Sequence, residues 1–348
     1  PKPPQPIERS IASPMLLATI AIQKYCDGLP LYRQAEIFKR LGIELDRGSL
    51  ANWMIKCGQL IQPLINLLFD HARMQQILHM DETVLQVLQE KGRSAQQQSR
   101  MWVMTTASHS AINVILYHYS ETRSAAEAAY MLDDFSGALV TDGYGAYDAL
   151  AKEEKFTQLG CWAHARRYFM DAKKAQPKGK IGKADHALAL IQKLYRVEKQ
   201  MLNASAEERY LAREQTSQAI LKQLRQWLDK SLESPIKQGK LAKALTYLNN
   251  QWPKLARYTE NGAWPIDNNR AENAVRPFVI GRKNWIFAAT PKGASASANL
   301  YSLIETAKAN GLEPSAYLTE VFTKLPQVNS VEDIEALLPW NVKESNQG

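Results

Sequence analysis

The chain has 348 residues, 45% hydrophobic and 22% charged, with a net charge of +8 and a pI near 9.2. That composition is of an ordinary globular protein with room for roughly two or three domains, and it argues against a disordered or fibrous chain. No apolar run reaches bilayer length, so no membrane partner is expected.

The excess of cations favours a polyanionic partner, nucleic acid above all. Three scattered cysteines, Cys26, Cys57 and Cys161, argue against a disulfide framework and a Cys-rich zinc module. They point to a reducing compartment, so a cytoplasmic location is expected. The opening Pro1-Lys2-Pro3-Pro4-Gln5-Pro6 is polar and unlike a signal peptide. It lacks an initiator Met, and an upstream segment is expected to have been removed or left out.

Residues 1–12 read as a linker. Ser13-Pro14 is an N-cap followed by proline, and Leu16, Leu17, Ile20, Ile22 and Tyr25 then recur at helical spacing. The stretch Tyr32–Ile43 predicts a short helix ending in a turn at Gly42, with a second helix starting near Asp46. That outline suits a helix-turn-helix, and Arg47, Ser49 and Asn52 would lie near the exposed start of its second helix, where such a motif touches DNA. A helical hairpin that only packs has the same outline. Gln59–Leu78 predicts one further amphipathic helix, with Leu60, Ile61, Leu64, Ile65, Leu67 and Leu68 as its core face.

The period then changes to two. Gln76–Val87, Trp102–Ala107 and Ala111–Tyr119 predict three strands in an antiparallel meander, with Lys91–Ser99 as a polar loop. Thr122–Met131 predicts a helix. Gly137–Tyr144 is a short apolar strand ending at an aspartate, the pattern of a buried parallel strand. A helix over Gly145–Glu154 and a fifth strand over Phe156–Trp162 follow. The expected fold class is therefore α/β, a mixed sheet covered by helices.

Helical patterns then dominate: Ala165–Ala175, Lys183–Asn203, Ser205 to about Leu232 and Leu241–Tyr258. Ser205 and Glu208 form a capping box at the start of the third. After this helical block, helices are predicted over Ser295–Asn310, stopped by Gly311, and over Pro314–Lys324 and Val331–Leu338.

The densest polar chemistry lies between, in Trp264-Pro265-Ile266-Asp267-Asn268-Asn269-Arg270-Ala271-Glu272-Asn273-Ala274-Val275-Arg276-Pro277 and on through Gly281-Arg282-Lys283-Asn284-Trp285. Asp267 or Asn268 can cap a helix on which Glu272 and Arg276 share a face, and Pro277 is expected to end or kink it. Alone, this is a capped surface helix with an ion pair. Two upstream acids change its meaning. Asp81 falls inside the first strand and Asp142 at the end of the fourth, and a charge in an apolar strand is costly unless paired or metal-bound. In a mixed sheet those strands can be neighbours, and Glu272 would then close a cluster of three acids. Oxygen ligands of this kind suit Mg²⁺, and a pair of such ions about 3.5–4 Å apart serves in-line attack at phosphorus. Each acid taken singly reads as a cap or a surface ion pair.

At these residues the chain resembles the transposases of the IS66 insertion-sequence family, DDE transposases with an RNase H-like catalytic core. The resemblance covers nearly the whole chain. It is carried by Ala12-Ser13-Pro14 with Leu16-Leu17-Ala18, Leu29-Pro30-Leu31-Tyr32-Arg33-Gln34, Asp81-Glu82-Thr83, Thr141-Asp142-Gly143-Tyr144 and Cys161-Trp162-Ala163-His164-Ala165-Arg166-Arg167. Its most specific part is Asp267–Glu272 through Gly281–Trp285. The resemblance implies that Asp81, Asp142 and Glu272 are the catalytic, metal-binding triad for Mg²⁺, with Mn²⁺ as an alternative ion. It also implies that the helical block is an insertion domain. His164, in a Cys-x-x-His pair with Cys161, would stand beside the active site and help place the scissile phosphate or a proton; a histidine bonded to backbone reads the same way. As half a zinc site, the pair has no second Cys/His pair nearby. Arg166, Arg167, Arg276, Arg282, Lys283 and Lys292 are candidate phosphate contacts. Trp264 and Trp285 either pack or stack on a flipped base. Two departures stand out. The family's upstream Cys-rich module and coiled-coil-like helix are not in this sequence, and Asn273 stands where arginine commonly follows the glutamate.

The expected organisation is a linker over 1–12, a helix-turn-helix-like DNA-binding domain over 13–75, and RNase H-like core over 76–163 and 263–311, with a helical insertion over 164–262 and a helical tail over 312–348. The expected activity is metal-dependent cleavage at transposon ends followed by strand transfer. Its partners would be double-stranded DNA (transposon ends and target), further copies of the chain in a homo-oligomer, and accessory proteins of the same element, at the bacterial nucleoid. The alternatives are an RNase H-like nuclease that cuts without joining, and a non-catalytic DNA-binding protein derived from a transposase.

Overall fold

Ser13 starts the first helix as its sequence implies: its hydroxyl accepts the Leu16 N–H at 3.2 Å, and Pro14 needs no donor there. The computed structural model describes residues 4–153, 156–177, 181–233 and 238–345. Residues 1–3 of the expected linker, Glu154 and residues 346–348 of the expected tail lie outside them. The chain divides into two compact units, one from residues 1–135 and 270–348 and one from residues 136–269.

In the first unit, α1 (Pro14–Tyr25) is followed by α2 (Leu31–Arg40) and α3 (Arg47–Leu60). Gly42, at φ +77°, makes the turn between α2 and α3. Asp46 caps α3 by accepting the N–H groups of Gly48 and Ser49 at 2.7 and 3.1 Å. The two expected helices and their turn are therefore present. The single helix expected over Gln59–Leu78 is not. The chain breaks at Ile61 and restarts as α4 (Gln62–Arg73), because Pro63 has no N–H and its ring collides with the carbonyl four residues back.

The predicted meander forms from β1 (Ile77–Gln86), β2 (Gln98–Thr106) and β3 (Ile115–Ser120), with Asp81 opposite Val103 and Val103 opposite Tyr117. β2 starts earlier than its apolar residues suggest. The polar Ser99 is fully buried there, and its hydroxyl donates to Glu90 at 2.5 Å. β3 starts later, because the Thr106 hydroxyl donates to the Ile112 carbonyl and accepts the Val114 N–H, both at 3.0 Å, holding the connection as a loop. Then comes α5 (Ala125–Leu132).

The second unit opens with β4 (Ala138–Val140), α6 (Ala146–Glu153) and β5 (Thr157–Leu159), and β4 pairs with β5 in parallel, as its apolar pattern predicts. Next are α7 (Trp162–Lys174), α8 (Lys183–Gln200), α9 (Ala206–Ala212), a π-helical turn over Arg213–Ser217, α10 (Gln218–Leu232) and α11 (Lys240–Ala256). The Ser205–Glu208 capping box forms in full, at 3.2 and 2.7 Å. These helices bury a common core that includes Trp162, Phe169, Leu190, Leu194, Leu224 and Leu248.

The chain returns to the first unit with α12 (Asn269–Trp285), α13 (Pro291–Ala309), α14 (Pro314–Lys324), α15 (Val331–Glu335) and α16 (Pro339–Ser345). α13 starts four residues before the expected Ser295, because Thr290 caps it through the Gly293 N–H and Pro291 opens it. Gly58 lets α3 approach α13 closely: a Cβ there would lie 2.6 Å from the Ala296 Cα. No helix among the described residues is long and apolar enough to cross a membrane.

α13 also does for β3 what a further strand would do. The Ser302 hydroxyl accepts the Tyr117 N–H at 2.7 Å, and the Thr306 hydroxyl accepts the Ile115 N–H at 3.0 Å and donates to the Ile115 carbonyl at 2.9 Å. Asn310 donates to the Asn113 carbonyl at 2.7 Å. Three side chains at i, i+4 and i+8 on one helix face thus satisfy backbone groups along β3 and cover them from other chains. Thr306→Val keeps the shape but orphans a buried N–H, so unfolding stability should fall by about 1–3 kcal/mol. A urea midpoint equal to that of the parent would disprove this role.

Candidate active site

In the first unit, Asp81 is half-buried midway along β1, where the strand passes from a fully buried to a partly exposed run. Its Oδ1 accepts the Glu82 N–H at 2.8 Å. The Glu82 carboxylate, with its side chain 7% exposed, is ion-paired with Arg123. One turn into α12, Glu272 is also half-buried, and five bonds fix that helix. Arg270 donates to the Thr106 carbonyl at 3.3 Å and to Asn113 Oδ1 at 2.9 Å. The Tyr117 hydroxyl donates to the Ala274 carbonyl. Further along, Arg282 donates to the Thr83 hydroxyl at 3.2 Å and to the Val84 carbonyl. Burial lowers the pKa of both arginines. Arg282, expected as a phosphate contact, is therefore held by β1, two residues beyond Asp81. Arg276, Lys283 and Lys292 are exposed.

The helix does not end at Pro277. It runs on to Trp285, since Val275, Phe278 and Gly281 are buried on one face. Burying a side chain of the Val or Phe class is worth about 1.5–3 kcal/mol, which offsets the roughly 3 kcal/mol cost of an interior proline. Trp285 packs edge-on against Phe278, with ring centroids 5.4 Å apart, which favours the packing alternative for this tryptophan. A Cβ on Gly281 would meet the Tyr301 hydroxyl at 2.3 Å, so only glycine fits that contact.

In the second unit, β4 ends at Val140, short of the strand expected to run to Tyr144, so the half-buried Asp142 lies two residues beyond it in the following turn. Its Oδ1 accepts the Tyr144 N–H at 2.9 Å across Gly143, which sits at φ +95°. A Cβ on Gly143 would also lie 2.9 Å from the Gln251 side chain, so the Asp-Gly pair is required twice over. From α11 the Tyr247 hydroxyl donates to the Asp142 carbonyl at 2.8 Å.

At the β5–α7 corner, the buried Cys161 accepts the Asn268 N–H on Sγ at 3.2 Å, and the Trp162 N–H donates to the Ile266 carbonyl at 3.2 Å. Asp267 accepts the Asn269 N–H at 3.0 Å, the capping contact its sequence predicts, and the Tyr195 hydroxyl at 2.8 Å. Burial and this carboxylate push the Tyr195 pKa up. On α7, Arg167 Nη1 donates to His164 Nε2 at 3.2 Å. Arg166 and Arg167 are exposed. On α3, Arg47 and Asn52 are exposed, while the Ser49 hydroxyl donates to Asp46 Oδ2 at 2.6 Å as part of the cap.

Sequence reasoning missed Arg213. Its side chain is 2% exposed and forks onto both Glu198 oxygens at 2.9 and 2.7 Å. It also donates to the carbonyls of Tyr258, Asn261 and Trp264 at 2.8, 2.7 and 3.0 Å. Trp264 thus contributes its carbonyl to this anchor. The helix predicted from Ser205 to Leu232 hid the feature, because the π turn rotates Arg213 and Ser217 into the interior against the 3.6-residue period. The Arg270 and Arg123 contacts were missed for a simpler reason: their acceptors are distant in sequence.

Residues 9–296 match the family described as Transposase IS66 family, and residues 302–340 match the IS66 C-terminal element. The chain belongs to the IS66 transposase family. Curated relatives include three proteins of Sinorhizobium fredii. Uncharacterized protein y4qI is 33% identical over 97% of the IS66 chain and 64% of its own length. Uncharacterized protein y4jD is 33% identical over 100% and 70% of the respective lengths, and y4hP is 28% identical over 99% and 65%. The IS66 chain therefore spans about two thirds of the length of these relatives.

Arg213→Met should leave the Glu198 carboxylate, 17% exposed, without its fork and three carbonyls without a donor. The expected loss is about 3–5 kcal/mol, read as a lowered urea midpoint together with faster amide exchange through residues 258–269. Parent-like exchange in that stretch would show that the fork does not hold it.

Proposed function

We propose that this chain carries the catalytic activity of an IS66 transposase on an RNase H-like core. In this reading Asp81, Asp142 and Glu272 together bind Mg²⁺, or Mn²⁺ in its place. The family match from residue 9 to 296 is the observation that carries the reading. Three further features support it. All three acids are half-buried carboxylates. Each stands at or beside an element anchored by named bonds: Asp81 in β1, Asp142 on its glycine turn, Glu272 in α12. As a donor set the three acids offer hard oxygens, which suit Mg²⁺.

When bound, a pair of such ions lowers the pKa of the attacking hydroxyl and neutralises charge on the leaving oxygen. The chain does the rest by position. The three carboxylates would hold the ions, and the basic side chains around them would hold the scissile phosphodiester in line with a water. The water oxygen bonds to phosphorus and the P–O3′ bond breaks, leaving a 3′-hydroxyl on the transposon end. That oxygen then bonds to a target phosphorus, and the target's own P–O3′ bond breaks, so the number of phosphodiesters is conserved in this step. His164, in the Cys-x-x-His pair with Cys161, helps place the scissile phosphate or a proton beside the attack. Exposed Arg166, Arg167, Arg276, Lys283 and Lys292 neutralise backbone phosphates, and binding should weaken with salt. Arg282 acts by holding β1 and α12 together. Arg47 and Asn52, at the exposed start of α3, contact duplex DNA from the helical segment over 13–75, and residues 164–262 form an insertion domain. The chain works on both transposon ends as a homo-oligomer with accessory proteins of the element.

Asp142→Asn should reduce Mg²⁺-dependent cleavage of end-containing DNA by about 10²–10³-fold or more, with duplex binding within a few-fold of the parent. An active Asp142→Asn protein would refute the triad. Supplied with pre-cut ends, the parent protein should join them to a target plasmid. Cutting without joined product would mark a nuclease instead.

A further inference from the structure

On the second unit, Tyr168 of α7 and one side of α11 line an open groove of about 630 Å³. Tyr168 forms one wall. Its ring stacks on Tyr247 with centroids 4.6 Å apart and planes at 29°, yet Tyr168 stays 39% exposed. The helix does not need that ring for its core, because the next residue, Phe169, is fully buried and anchors it. Along α11, Lys243, Tyr247 and Asn250 recur at i, i+4 and i+7, so one helical stripe faces the groove, with Thr246 and Gln251 beside it. No carboxylate lines it among the described residues.

These groups match the chemistry of one kind of ligand. A stacked aromatic pair accepts the flat face of a base, Asn250 and Thr246 offer donors and acceptors to its edges, and Lys243 suits a phosphate. The groove floor is also tied to Asp142: the Tyr247 hydroxyl donates to the Asp142 carbonyl at 2.8 Å, and Gln251 donates to the Gly143 carbonyl at 3.5 Å. The geometry points to a subsite for an unpaired nucleotide of a DNA strand, stacked on Tyr168 and led toward Asp142. The choice of DNA as ligand rests on the function proposed above; the stacking site itself does not.

The test is binding of a short single-stranded oligodeoxynucleotide carrying 2-aminopurine, without divalent ions, followed by anisotropy and by quenching of the base. The parent protein should quench the base. Tyr168→Ala should weaken binding by about 5–150-fold and abolish the quenching, as expected for loss of one stacked base. Tyr168→Phe should stay within about twofold, because stacking needs the ring and not the hydroxyl. Lys243→Gln should reduce the slope of log affinity against log salt by about 0.7. The proposal is overturned if the parent gives no quenching, if Tyr168→Ala binds and quenches like the parent, or if Tyr168→Phe is as damaged as Tyr168→Ala. Nothing is cut in this assay, so its result is independent of whether Asp142→Asn abolishes cleavage.

Discussion

A guanidinium shut away from water organises the second unit. Arg213 can be buried only because every face of its planar fork finds an acceptor, two carboxylate oxygens and three carbonyls. Lysine could not satisfy that arrangement, having a single point charge and rotating donors. The carbonyls belong to Tyr258, Asn261 and Trp264, the stretch in which the long helical block ends. Arg213 therefore decides where the chain leaves that block. Two residues later the Ile266 carbonyl meets the Trp162 N–H, and Asn268 meets Cys161. The exit from the helices is pinned at successive points before α12 begins.

The first unit meets the other end of the same problem with different chemistry. Its sheet needs a partner along β3, and α13 supplies it with hydroxyls and an amide rather than with backbone. α12 is bound by Arg270 at its start, by the Ala274 carbonyl in its middle and by Arg282 near its end. Asp81 and Glu272 consequently stand on a strand and a helix that cannot move without breaking several bonds. Asp142 has an equivalent support in its glycine turn and Tyr247. Rigid elements carrying carboxylates are what a phosphoryl-transfer site requires, since such catalysis is almost wholly positioning and charge neutralisation.

Much of this was legible in the residues. Ser13, Asp46, Ser205 and Asp267 act locally, through their own neighbours' N–H groups, and each makes the predicted contact. The meander and the parallel β4 followed from period and apolarity, which report burial directly. The three candidate acids could be named because a charge in or beside an apolar strand is rare, and because the motifs around them resemble one family. What failed were places where a distant contact outweighed a local preference. Pro277 does not end its helix, one of the two outcomes expected of it, because Val275 and Phe278 are buried around it. Ser99 lies in a strand because Glu90 waits for its hydroxyl. Pro63 is the reverse case, a local stop signal that the apolar run concealed.

The sequence by itself determined the capped starts of α1, α3 and α9, the strand pairing classes, the candidate acids and the family, since these depend on residue type and short spacing. Only the tertiary structure decided that Arg213 is an interior anchor, that Arg282 serves β1, and that Ser302, Thr306 and Asn310 complete β3. The reason is physical. A buried polar group takes its meaning from partners that folding brings from dozens or hundreds of residues away, and neither periodicity nor charge pattern records which partner that will be.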